Sequence, residues 1–121
     1  RIVNYTTEGV IRVDMNFGIS YDSDIELATK IIREEDEKHP SCQEWRTSKQ
    51  IEQGEPKVYI RLVSFGDSSV NLRANVWAAG PIEAFEMECD LNKSVKKRFD
   101  AEGIEIPFPH RTLVYKNKPA S

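Results

Sequence analysis

The chain has 121 residues, 39% hydrophobic and 31% charged, a composition of a single folded domain rather than a disordered segment. A net charge of −3 and a pI near 5.4 lack the basic excess of a nucleic-acid binder, so no nucleic-acid partner is expected. No apolar run reaches the roughly 18 to 20 residues that span a bilayer. The first residues, Arg1-Ile2-Val3-Asn4, carry neither an initiator Met nor the apolar core of a signal peptide, and a piece of a longer protein is expected. Cys42 and Cys89 are the only thiols, which points to a reducing compartment and leaves a Cys42–Cys89 bridge as the lesser alternative.

Val10 to Tyr21 opens the pattern with strict alternation. Ile11, Val13, Met15, Phe17, Ile19 and Tyr21 share one face and Arg12, Asp14, Asn16, Gly18 and Ser20 the other, as a half-buried strand requires. A helix follows, with Ser23 and Glu26 at capping-box spacing and Asp24 and Glu26 complementing the helix dipole. Its buried stripe is Ile25, Ala28, Ile31 and Ile32, and His39-Pro40 ends it. Ser41 to Pro56 is polar and aperiodic and reads as a long loop with room for a short strand; Trp45 and Ile51 are its large apolar residues.

Lys57 to Phe65 and Ser69 to Ala78 then alternate about a Gly66-Asp67-Ser68 turn and predict a hairpin. Pro81 starts a second helix, where its missing N–H costs nothing, and Gly103 stops it. Its apolar positions are Ile82, Phe85, Cys89, Val95 and Phe99. Ile106-Pro107-Phe108-Pro109 forms a stiff connector to a strand-like stretch from Thr112 to Tyr115. The order strand, helix, strand, strand, helix, strand predicts an α+β fold, a ferredoxin-like two-layer sandwich (β-α-β-β-α) with two helices on one face of the sheet.

Chemistry-bearing constellations are sparse. His39 with Cys42 lacks the further ligands a metal needs, and His39 reads as a helix-end residue facing free carbonyls. His110 reads as an exposed strand-entry residue. Asp22, Asp24 and Glu26 lack the ligand spacing and central Gly of a calcium loop. The basic cluster Lys93, Lys96, Lys97 and Arg98 is flanked by acids and reads as a solvated helix face. Arg61 or Arg73 beside Asn71 or Asn75 has the residue types for acyl-phosphate hydrolysis, without a phosphate-cradling loop. No serine sits in a nucleophile elbow. No catalytic residue, cofactor or metal site is expected, and Trp77 reads as core or interface.

Several stretches in the right order resemble one family. They are Gly18-Ile19-Ser20-Tyr21-Asp22-Ser23-Asp24-Ile25, Gly66-Asp67-Ser68-Ser69-Val70-Asn71-Leu72, Val76-Trp77, Asp90-Leu91-Asn92, Lys96-Lys97-Arg98-Phe99-Asp100 and Gly103-Ile104-Glu105-Ile106-Pro107-Phe108-Pro109. Together they resemble the C-terminal region of small-conductance mechanosensitive channels. The resemblance implies a cytoplasmic, heptameric cage below a membrane pore that opens under tension in osmotic downshock, with side portals that admit ions and small solutes. It implies residues 1–19 as the end of a middle β domain, 20–108 as an α/β domain, and 109–121 as a barrel strand and tail. Arg111, Thr112, Leu113, Val114 and Tyr115 would pair with symmetry mates about the axis. Asp22, Asp24 and Glu26 would lie at a portal rim, and Gly66, Asp67, Ser68 and Ser69 form the family-motif turn.

The family's membrane helices, its link to the inner membrane, are not in these residues, so this segment is not expected to conduct by itself. The His39 to Pro56 stretch is long and polar for the family. A free-standing ferredoxin-like regulatory module that binds a small ligand is the alternative reading, and a small hydrolase the third.

Overall fold

The computed structural model describes residues 10–107 in full and residues 3–5 as backbone. Four strands and three helices follow in the order β1 (Val3–Tyr5), β2 (Ile11–Ile19), α1 (Ile25–Lys38), α2 (Ser48–Glu52), β3 (Tyr59–Phe65), β4 (Val70–Ala78) and α3 (Pro81–Glu102). The strands make one antiparallel sheet in the order β1-β2-β4-β3, in a small mixed α+β fold. Its spine is the β2–β4 ladder, in register from Ile11 opposite Ala78 to Ile19 opposite Val70. A boundary between residues 19 and 20 therefore separates two elements, while β2 itself belongs to the same sheet as β4.

Alternation on these two strands puts Ile11, Val13, Met15, Phe17 and Ile19 beside Val70, Leu72, Ala74, Val76 and Ala78, all buried. Helices α1 and α3 pack on that face. They contribute Ala28, Ile31 and Ile32 from α1 and Ala84, Met87, Leu91, Val95 and Phe99 from α3. Phe17 and Phe99 meet edge to face at 6.5 Å. At about 25 cal/mol per Å² of apolar surface removed from water, this cluster is the main favourable term of folding.

Four local expectations are corrected. The N-cap of α1 is Asp24, whose Oδ1 accepts from the backbone N–H of Glu26 and of Leu27; Ser23 instead bonds to Ser20 and Glu105. The stretch after His39 holds a short helix, α2, closed by a Thr47–Gln50 capping box, and no strand. His39 does not face helix carbonyls. Its Nδ1 accepts from Ser41 N–H, which leaves Nε2 to meet the Asp90 carboxylate of α3 at 2.9 Å.

The fourth correction concerns α3. Ile82, Phe85 and Cys89 point outward, with Ile82 71% and Phe85 61% exposed. The buried stripe runs through Ala84 and Met87 instead, one step around the helix. Gly103 does stop α3, in the left-handed region at φ 81°, and buried Ile104 follows it as that cap geometry favours.

Two ionisable groups are enclosed. Asp36, on the inner side of α1, is fully buried and neither carboxyl oxygen has a hydrogen-bond partner. Burial, reinforced by the charges of Glu37 and Glu35, pushes it up to about 8. Glu35 is buried too, yet hydrogen bonds from Arg98, Lys38 and Ser94 outweigh desolvation and hold it below its ordinary value. Arg98 reaches Glu34 and Glu35 of α1 and Glu102 of its own helix, tying the helices together at their rim. Both cysteines are free thiols; burial raises Cys42 to about 11.

Candidate functional site

At the end of the sheet where β2 runs out, three segments separated in sequence converge. Ser20 N–H donates to Glu105 C=O at 2.8 Å, and Glu105 N–H donates to Ser23 Oγ at 3.1 Å. The chain leaving α3 is thus stitched to the entry of α1. The third segment is the β3–β4 turn, closed by Gly66 N–H to Ser69 C=O at 2.6 Å. Tyr21 joins it to the others: its hydroxyl donates to Gly66 C=O and its ring stacks on Phe65 at 6.4 Å.

Small side chains make this closure possible. A Cβ on Gly18 would lie 3.4 Å from both Ser69 and Asn71, and one on Gly66 would lie 3.1 Å from Ser69 Oγ. Ser69 Oγ then donates to Asn71 Oδ1 and Asn71 Nδ2 to Ser64 Oγ, locking the turn to both strands.

The structure therefore brings Asp22, Asp24 and Glu26 to the same end as Gly66, Asp67, Ser68 and Ser69. Asp22, Asp24, Glu26 and Asp67 are all exposed, and Glu105 adds another exposed carboxylate to the surface. Asp24 combines capping with a surface charge; Asp22 and Glu26 have no capping duty. The placement of Glu105 has a visible signal in the sequence, since Gly103 reverses the chain after α3. Arg111, Thr112, Leu113, Val114 and Tyr115, with His110, lie outside the described residues.

A second end is organised by the polar stretch after α1. Trp45 crosses to the outer face of the sheet and packs on Trp77 at 5.6 Å and Tyr59 at 6.1 Å, while its indole N–H donates to Lys57 C=O at 2.6 Å. Gln43 N–H bonds Trp77 C=O, adding backbone pairing where β3 has not yet begun. This is what the long segment contacts. Trp77 is covered by Trp45 rather than offered as a stacking platform.

Among the described residues the Arg–Asn pair suited to acyl-phosphate hydrolysis is not assembled. Asn75 Nδ2 is committed to Asp14 and Asn71 to the turn, so neither amide pairs with Arg61 or Arg73. Among the described residues no group of three or more His, Cys, Asp or Glu side chains is placed to hold a metal. Among them, too, no helix is long and apolar enough to cross a membrane. Exposed apolar side chains include Ile82 and Phe85 on the first turns of α3 and Leu62, Val63 and Phe65 on β3. Sequence periodicity placed the α3 residues inside, because each is a plausible core residue and only packing tells the two stripes apart.

Comparisons with known proteins agree with this architecture. Residues 13–106 match the family described as mechanosensitive ion channel MscS, C-terminal. An uncharacterized MscS family protein of Archaeoglobus fulgidus is 32% identical over 117 residues, which are 97% of this chain and 38% of that protein. The small-conductance mechanosensitive channel of Helicobacter pylori is 31% identical over 120 residues, 99% of this chain and 40% of its own length. The crystal structure of Helicobacter pylori MscS in the closed state superposes with a TM-score of 0.67 at 29% identity, covering 91% of this chain and 40% of that one. The chain thus spans about two fifths of the length of these relatives. With a family match across most of its length and a fold that superposes on a solved member, this chain belongs to the MscS family of mechanosensitive ion channels, not to an enzyme family, and corresponds to the family's C-terminal domain.

Proposed function

We propose that this chain is part of the cytoplasmic chamber of a mechanosensitive channel that opens under membrane tension in osmotic downshock, contributing oligomerisation and a solute-filtering wall rather than the pore. The observation that carries the reading is the family match over residues 13–106, in a chain that spans about two fifths of its relatives. The ferredoxin-like layout is part of the proposal; it is supported by the antiparallel order β2-β4-β3, with α1 between β2 and β3 and α3 after β4. The division into a lead-in from a middle β domain (1–19), an α/β domain (20–108) and a C-terminal strand and tail (109–121) is proposed from the family resemblance, with β2 as the strand through which the lead-in joins the sheet.

Exposed apolar side chains on α3 and on β3 favour self-assembly into a ring. A head-to-tail contact joins two different surfaces and closes when the rotation allows, as in a heptamer. Ile82 and Phe85 of α3, and Leu62, Val63 and Phe65 of β3, supply apolar side chains for such a contact. In this reading the strand Arg111 to Tyr115 pairs with its symmetry mates. The carboxylates of Asp22, Asp24 and Glu26 line a portal and favour cations locally.

The test uses the full-length protein. Deleting Arg111 to Tyr115 is expected to lower the fraction of intact heptamer in native mass spectrometry; an unchanged heptamer counts against the barrel strand. Replacing Asp22 and Glu26 by Asn and Gln is expected to lower the cation-to-anion permeability ratio in patch recordings. An unchanged ratio removes these residues from the portal.

A further inference from the structure

The outer face of the sheet carries a charge pattern that the channel reading does not require. Arg61 of β3 and Arg73 of β4 are direct partners across the antiparallel ladder. Like charges in that position destabilise a sheet. Neither guanidinium has a carboxylate within ion-pair distance among the described residues. A third, Arg12 of β2, shares the same cleft of about 190 Å³, which Asp14, Asn75 and Val63 complete.

The one carboxylate is already engaged. Asp14 is buried, accepts from Asn75 Nδ2 at 2.6 Å and pairs with Arg12 Nε at 3.1 Å. With Asp14 taken up by Arg12 and Asn75, the cross-strand pair Arg61 and Arg73 brings two positive charges to this polar cleft with no carboxylate among the described residues to offset them.

The arginines are also held in place. Arg73 Nε donates to Asn16 Oδ1 at 3.1 Å, which leaves its two terminal nitrogens without a protein partner among the described residues. Arg61 lies over the ring of Tyr59 at 4.6 Å, and Tyr59 is itself braced by Trp45. Guanidinium groups fixed in this way are preorganised for bidentate hydrogen bonds to an oxyanion.

We propose that the cleft between Arg12, Arg61 and Arg73 binds a small doubly charged oxyanion, an inorganic phosphate or a short dicarboxylate. The charge excess sets the valence. The volume sets the size, since ligands as large as a nucleotide occupy cavities of roughly 300 Å³ or more. The bound dianion cancels the Arg61–Arg73 repulsion, so occupancy stabilises the sheet. This site is independent of the channel assignment and would bind in a free-standing domain as well.

Isothermal titration of the 121-residue chain with inorganic phosphate, and separately with succinate, tests it against sodium chloride at matched ionic strength. Saturable one-to-one binding near about 1 mM for either ligand, with a rise in Tm, is expected. The tighter of the two identifies the source of the oxyanion. Arg73→Gln is expected to weaken binding by about tenfold or more. Arg61→Gln should do the same while raising the Tm of the ligand-free chain, because it removes the like-charge pair; a variant that is merely misfolded would lower it. Lys97→Gln, on the exposed side of α3, should leave binding unchanged.

No saturable binding of either anion at matched ionic strength overturns the proposal. Undiminished affinity in both arginine variants overturns it too, and so does binding that weakens as chain concentration rises, which would assign the cleft to a carboxylate of another copy.

Discussion

Strands β3 and β4 are neighbours in one hairpin with closely similar alternating sequences, and they meet different fates. Every second residue of β4 is buried, from Val70 to Ala78. On β3 the exposure rises along the strand until Leu62 is 38% and Phe65 69% exposed. The two leucines Leu62 and Leu72 are even register partners. What separates them is position: β4 lies between β2 and β3 under both helices, whereas β3 is the sheet edge, and a bulge between Leu62 and Ser64 turns it further away. Alternation therefore encodes a strand and its two faces, and the place in the sheet decides whether the apolar face is covered by this chain or left for another.

That comparison breaks most visibly at the leucine pair. Leu72→Ala is expected to cost about 2–5 kcal/mol in urea unfolding, and Leu62→Ala about 1 kcal/mol or less. Equal losses would mean that β3 is as well covered as β4. In the assembled full-length protein the gap between the two should narrow if a neighbouring copy covers β3.

Asp36 sharpens the same contrast from inside. It is a buried group that opposes the core it sits in, because the folded state keeps it protonated to about pH 8 while an ordinary Asp ionises near 3.8. The folded chain thus binds the extra proton, and stability falls as pH rises between those values, at about 1.4 kcal/mol per pH unit. Below pH 3.8 the penalty vanishes, and above about 8 it is complete. Asp36→Asn is expected to flatten this dependence, gaining on the order of 2–4 kcal/mol relative to the native chain between pH 5 and pH 8. Parallel pH profiles for the two proteins would show that the carboxyl has found solvent or a partner.

The smallest effect lies at the exposed entry to α1. Asp24→Ala is expected to cost about 1 kcal/mol, because it frees the N–H groups of Glu26 and Leu27. Glu26→Gln, equally exposed, should change stability by less than about 0.5 kcal/mol. A reversed ranking in thermal melts would return the cap to a box built on Glu26.

Local patterns were legible where one rule acted alone. The period of two from Ile11 to Ile19, the hairpin about Gly66, the Pro81 start and the Gly103 stop of α3 all follow from side-chain geometry within a few residues. The motif stretches from Gly18 and from Gly66 likewise pointed to the family that the comparisons show. Where two residues met the same local rule, the sequence could not choose. Ser23 and Asp24 both cap well, and Asp24 took the position because Ser23 is drawn to Glu105, distant by 82 residues in the chain. Ile82 with Phe85 and Ala84 with Met87 both make apolar stripes, and the helix turned its smaller residues to the sheet.

What the sequence by itself determined is β2, α1, β3, β4 and α3, their order and the family, since these rest on periodicity, turn chemistry and motif. Tertiary structure alone decided which apolar residues stay outside, that Trp45 covers Trp77, that Asp36 is enclosed without a partner, and that Arg12, Arg61 and Arg73 share one cleft. The physical reason is common to all four. Burial and charge proximity are properties of the space between elements, set by strand order, register and helix rotation, and no short window of sequence contains them.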